Sequence, residues 1–187
     1  MLVINDEQFF ERAEIIREKG TNRSQFYRGE ADKYGWMDIG SSFLPSDLIA
    51  AFLFAQLESL EKIQNRRKDI WNAYHNSLIS LNNEGKIKII YPHHNATQNG
   101  HIFAFTTKSP SERTALIKYM KNRDIHPVFH YLSLHKSPFY LDKHDGRNLQ
   151  NSDFFSEHLL RLPLYYELNE GDLRLVTESI VSFYNEN

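Results

Sequence analysis

Cysteine is missing from all 187 residues, which excludes a disulfide framework and any thiolate metal site and points to a reducing, cytoplasmic setting. Charge of one sign is missing too. The 22 basic and 24 acidic residues are interspersed and leave a formal net charge of -2, so the chain offers no electrostatic footprint for nucleic acid or an anionic membrane. There is no long hydrophobic run: the longest, Leu48 to Leu57, is interrupted and too short to span a bilayer. Met1 leads through a brief apolar run into charges without the pattern of a signal peptide. No internal repeat or low-complexity tract occurs. A GxxxxGK phosphate loop, a GxSxG nucleophile elbow and an HExxH zinc motif are all lacking, which leaves kinase and hydrolase chemistry without support.

What is present suits one core, or a core with a docking arm: 41% of residues are hydrophobic and 13% aromatic. Asn5 to Gln8 read as a capping-box start, with Phe9, Ala13 and Ile16 at helical spacing before Gly20 stops the helix. A loop of about twenty-five residues follows, a length that is usually functional or disordered in a compact domain. From Ser46 an apolar stripe through Ile49, Leu53, Leu57 and Leu60 continues to about Leu81 and predicts one long, bent helix. Ile87 to Tyr91 and His101 to Thr107 read as strands, Ser111 to Asn122 as a capped helix and Pro127 to Leu134 as extended chain. Ser152 to Leu160 reads as a short helix, and Asn169 caps a last helix to about Tyr184. Helices around a few strands predict an α/β or α+β domain.

The run from Lys19 to Leu60, with Gly40, Ser42, Leu44 and Gln56-Leu57, resembles the sugar-nucleotide aminotransferases of the DegT/DnrJ/StrS family, which carry a Gly-x-Asn-x-Arg loop before an apolar helix ending in Gln-Leu. HYLSLH at His130 to His135 and LLRLPLYYELN at Leu159 to Asn169 extend the resemblance in the family's order. It covers essentially the whole chain but only the C-terminal part of such an enzyme. It implies the small domain of a fold-type I pyridoxal phosphate (PLP) transferase, with residues 1–45 as the end of the large domain plus an interface loop and residues 46–187 as the small domain. The implied reaction moves an amino group from glutamate to a dTDP-4-keto-6-deoxy sugar, in cell-surface polysaccharide or lipopolysaccharide biosynthesis. A homo-oligomer, with the loop crossing a dimer interface, is part of the same expectation.

Family members hold PLP on a Schiff-base lysine that precedes this part of the enzyme, with an upstream aspartate and an upstream aromatic ring. No position here matches them. Lysines such as Lys19, Lys33 and Lys136 fall on predicted loops or solvated faces, so no catalytic residue is assigned, no PLP is expected on this chain alone, and transamination by it is not expected. A non-catalytic nucleotide-sugar-binding or subunit-interaction module is the alternative.

The resemblance places Ser42 where the family's asparagine meets the phosphate of the partner's PLP, with Ser41 beside it. A serine hydroxyl still donates to phosphate, with shorter reach. Leu44 replaces the family's arginine and removes a charge. Ser41 and Ser42 also suit a plain turn before a helix cap. Tyr131 and His135 match the family's Tyr-x-Pro-Leu-His on the sugar-nucleotide side, with Ser133 in place of proline. Arg23, Arg28 and Lys33, beside Tyr27, Tyr34 and Trp36, could hold a diphosphate and stack on thymine, or be solvated loop charges. His126, His130 and His135 invite a metal reading, but on a simple strand His130 and His135 point to opposite faces and no further zinc ligands share a defined spacing, so no metal site is expected.

Overall fold

The computed structural model describes residues 2–186, which divide into two compact units, Met1–Ser59 and Leu60–Asn187. In the first, the Asp6 carboxylate accepts the Gln8 amide at 3.1 Å and starts a 3-10 turn that runs into α1 (Phe10–Arg17). The helix ends at Arg17 with Glu18 as its cap, just before Lys19 and Gly20, which both take left-handed backbone, with φ of 64° and 77°. A side chain at Gly20 has no room: its Cβ would lie 1.7 Å from the Asp38 carbonyl oxygen. The stretch expected as loop contains a short helix, α2 (Arg23–Tyr27). Next comes α3 (Asp47–Glu58), capped by the Ser46 hydroxyl, which accepts the Ile49 amide. None of its side chains is buried, although it is the most apolar helix of the chain.

The predicted long helix is two helices. At Ser59 (φ -99°, ψ 9°) the amide reaches back only three residues, to the Gln56 carbonyl at 3.2 Å, and α4 (Leu60–Asn83) starts anew.

The second unit is a four-stranded antiparallel sheet in the order β1 (Ile87–Ile89), β2 (Phe103–Thr107), β4 (Leu159–Leu162), β3 (Val128–Phe129). Its register sets Ile89 opposite Phe105, Phe105 opposite Leu160 and Val128 opposite Arg161. Period-2 alternation therefore turns Ile87, Ile89, Phe103, Phe105, Leu160 and Leu162 into one core with Ile70, Tyr74 and Leu78 of α4. The core is completed by Leu116 and Met120 of α5 (Pro110–Lys121) and by Val176, Ile180 and Phe183 of α7 (Glu170–Glu186). α5 starts one residue before the expected Ser111, because Ser109 is the cap and Pro110 occupies the first turn. Asn169 caps α7 as expected, its side-chain oxygen accepting the Asp172 amide at 2.8 Å.

Two expectations are corrected. The helix expected over Ser152 to Leu160 is α6 (Gln150–His158), and Leu159 and Leu160 belong instead to β4, where cross-strand pairing to β2 and β3 overrides a run that could continue the helix. The extended stretch from Pro127 pairs only at Val128 and Phe129 before a 3-10 turn at Leu134–Lys136.

Candidate functional site

In the first unit the loop is tied to the end of α1 by its own backbone. The Ser41 amide donates to the Ile16 carbonyl at 2.9 Å and the Phe43 amide to the Arg17 carbonyl at 3.1 Å, so two carbonyls left open at the helix end are satisfied. The Lys19 amide returns the connection to the Ser41 carbonyl at 3.0 Å, and Glu18 bridges Ser42. Ser41 therefore has no amide to give to an anion. At Ser42 the amide and the hydroxyl are both free of hydrogen bonds among the described residues, and the residue is exposed. Two donors stand on one rigidly anchored residue.

The loop arginines differ from each other. Arg28 is a fork between two acids, its Nη1 and Nη2 each 3.0 Å from Glu14 and its Nε and Nη2 2.7 and 2.9 Å from Glu30. Bonding to Glu30 and then to Glu14 raises its pKa, and Arg28 holds the Glu30 carboxyl below the usual range. Four of its N–H donations are thereby spent inside the unit. Arg23 makes no ion pair among the described residues: its Nη2 donates to the Tyr27 hydroxyl at 3.0 Å and its guanidinium lies 5.1 Å from that ring. Tyr27, Tyr34 and Trp36 are exposed.

In the second unit Tyr131 is 78% exposed and stands 5.0 Å from the His130 ring. His135, in the turn after β3, is held differently. Its side chain is only 10% exposed, with Nε2 3.3 Å from Asp153 Oδ1 on α6 and the ring 5.0 Å from His144. The Asp153 Oδ2 meets Lys136 Nζ at 3.0 Å, and Lys136, opposed by burial and aided by the Ser133 hydroxyl, holds this carboxyl below its ordinary value. Ser133 is buried and also accepts from Ser152 at 3.3 Å.

The structure thus brings Ser41, Ser42, Arg23 and Arg28 into one unit and Tyr131 and His135 into the other. Asp153 and Lys136 were not singled out from the sequence as partners of His135, because the turn that joins them to it has no spacing signal. The grooves between α4 and α7, one of about 370 Å³ around Arg66, Asn169 and Arg174, include none of the residues expected to bind ligands.

Residues 1–181 match the model of the DegT/DnrJ/EryC1/StrS aminotransferase family. Similar solved structures include the aminotransferase TlmJ from Streptoalloteichus hindustanus, with a TM-score of 0.79 at 20% identity, over 98% of this chain and 46% of that one. Helicobacter pylori PseC, an aminotransferase involved in the biosynthesis of pseudoaminic acid, gives 0.82 at 16% identity over 99% and 48%. The PLP form of Spr1654 from Streptococcus pneumoniae gives 0.77 at 19% identity over 98% and 45%. These likenesses show the fold, and the chain spans less than half the length of each structure.

Proposed function

Because this chain belongs to the DegT/DnrJ/EryC1/StrS aminotransferase family, we propose that it is the C-terminal segment of a PLP-dependent enzyme that moves an amino group from glutamate to a dTDP-4-keto-6-deoxy sugar for cell-surface polysaccharide. The observation that carries the reading is the family match over residues 1–181, made by a chain that covers under half of each similar structure. We place the enzyme in the cytoplasm as a homo-oligomer.

The residues present fit a phosphate presented from outside the unit. Ser42 offers an unpaired amide and an unpaired hydroxyl on a loop that is already fixed, so little ordering entropy opposes the contact. Bound PLP would supply the electron sink for amino transfer. This chain's part is to hold the cofactor's phosphate through Ser42, with Ser41 fixing the turn, and to orient the sugar through His135 and Tyr131. Of the two loop arginines, Arg23 is the one with donors to spare for a diphosphate, since Arg28 is committed to Glu14 and Glu30. Alone, the chain has no lysine placed for the chemistry and does not transaminate.

The test joins this chain to the preceding part of a family member. Ser42→Ala then removes one donor to a charged group, worth about 1.5–3 kcal/mol, and PLP retention by equilibrium dialysis falls accordingly. His135→Ala leaves cofactor occupancy intact and weakens the nucleotide sugar. Full PLP occupancy in the first variant and unchanged sugar affinity in the second remove both roles.

A further inference from the structure

We propose that Asp153 is a positioning residue that holds His135 as its Nε2–H tautomer, leaving Nδ1 as a hydrogen-bond acceptor for a ligand hydroxyl. Asp153 Oδ1 is buried and makes no well-aligned hydrogen bond within the described residues, a costly state for a carboxylate oxygen. The ring nitrogen at hand is His135 Nε2, at 3.3 Å. A protonated Nε2 attracts that oxygen, although the contact is not an aligned hydrogen bond, whereas a bare Nε2 would set a lone pair against it; the Ser133 hydroxyl also favours this carboxylate. The other oxygen, Oδ2, is already engaged by Lys136 Nζ at 3.0 Å, so the carboxylate cannot turn away without losing that pair.

The remaining neighbours agree with this arrangement. His144 packs 5.0 Å from the His135 ring, and its own Nε2 is directed to the Arg147 carbonyl at 2.9 Å, which requires the proton there. Its Nδ1 lies 3.6 Å from Asp145. Glu157 on α6 faces Lys136 at 3.9 Å rather than the imidazole. His135 Nδ1 is left with no hydrogen bond among the described residues and is not among the buried unpartnered atoms, so it is reachable from solvent. No set of three metal-ligating side chains converges among the described residues.

The consequence for recognition is a sign. A bare Nδ1 accepts a hydrogen bond from a hydroxyl and repels a phosphate oxygen, so His135 is matched to a sugar hydroxyl and not to the diphosphate of a nucleotide sugar. That consequence rests on the proposed function, whereas the tautomer itself does not.

The experiment uses the full chain, labelled with nitrogen-15, at about pH 8.5, well above the ordinary imidazole value of about 6.5. Long-range proton–nitrogen spectra should show His135 protonated at Nε2 and bare at Nδ1. In Asp153→Asn the side-chain amide can donate to the ring, and the Nδ1–H form should rise several-fold. Lys136→Met, at a side chain 54% exposed, should keep the Nε2–H form because Asp153 retains His135 as its donor. A wild-type His135 protonated mainly at Nδ1, a folded Asp153→Asn chain with the wild-type tautomer ratio, or loss of the Nε2–H form in Lys136→Met overturns the proposal. Should Asp153→Asn not fold, the wild-type and Lys136→Met spectra decide. No ligand is needed, so a wrong substrate class and a wrong tautomer fail in separate measurements.

Discussion

Tyr74 shows how a single residue ties this fold together. Its ring is fully buried between α4 and the sheet, 5.2 Å from Phe103, and its hydroxyl donates to the Pro163 carbonyl at 2.8 Å. That carbonyl follows β4 directly, so the bond fixes where the family-like LRLPLYY segment leaves the sheet. Tyr74→Phe leaves a part-buried carbonyl unpaired and should cost about 1–3 kcal/mol in urea melts, with the fold retained. The pH dependence has a definite sign. Burial raises the phenol's pKa, so the ionised form is disfavoured in the folded state. The stability linked to this group is complete below the ordinary tyrosine value of about 10 and is lost as pH climbs above it. Tyr74→Phe should therefore lose less stability than the wild type between about pH 10 and 11; an identical alkaline slope in both would contradict the assignment. Serine at position 42 was legible only through its place in a family-like loop. What makes it usable, an amide left free while Ser41 and Phe43 spend theirs on α1, depends on a register that no single-sequence pattern encodes.

At the scale of elements, the first unit rests on two glycines in contact. A Cβ at Gly20 would strike the Asp38 carbonyl, and one at Gly40 would lie 2.1 Å from the Gly20 nitrogen. Gly20 also accepts from the Met37 and Asp38 amides through its carbonyl, at 2.7 and 3.0 Å. Gly20→Ala should open this loop, seen as faster amide exchange at Met37, Asp38 and Ser41, while amides of the β2–β4 ladder keep their protection. Slow exchange at those three amides in the variant would refute the close approach. α3 carries the other consequence. Phe52 is 70% and Phe54 63% exposed on a helix with no buried side chain. So large an apolar face calls for a covering surface. In the chain alone, self-association is the expected substitute; Phe52→Asp with Phe54→Asp should reduce it in sedimentation velocity, and a wild-type monomer at high concentration would exclude it. Caps and periodicity made most elements legible in the sequence, as Ser46, Ser109 and Asn169 show. β4 was not, because four residues of Leu-Leu-Arg-Leu after a helix carry no signal that separates a strand from another turn.

For the whole molecule, composition excluded more than it identified, and the family became legible from three segments in order rather than from any one residue. The sheet order β1-β2-β4-β3 could not be read from them, because strand pairing between residues 103–107 and 159–162 is decided by packing against α4 and α7 and not by local pattern. The central claim is that this chain contributes phosphate and sugar contacts to an aminotransferase while lacking the group that carries the cofactor. The most direct measurement is 2-oxoglutarate formation from glutamate, PLP and a dTDP-4-keto-6-deoxy sugar, followed for the purified chain against a protein-free control containing the same PLP. The account predicts no 2-oxoglutarate above that control and no lysine modified by PLP in stoichiometric amount; turnover above the control, with one lysine fully modified, would contradict it.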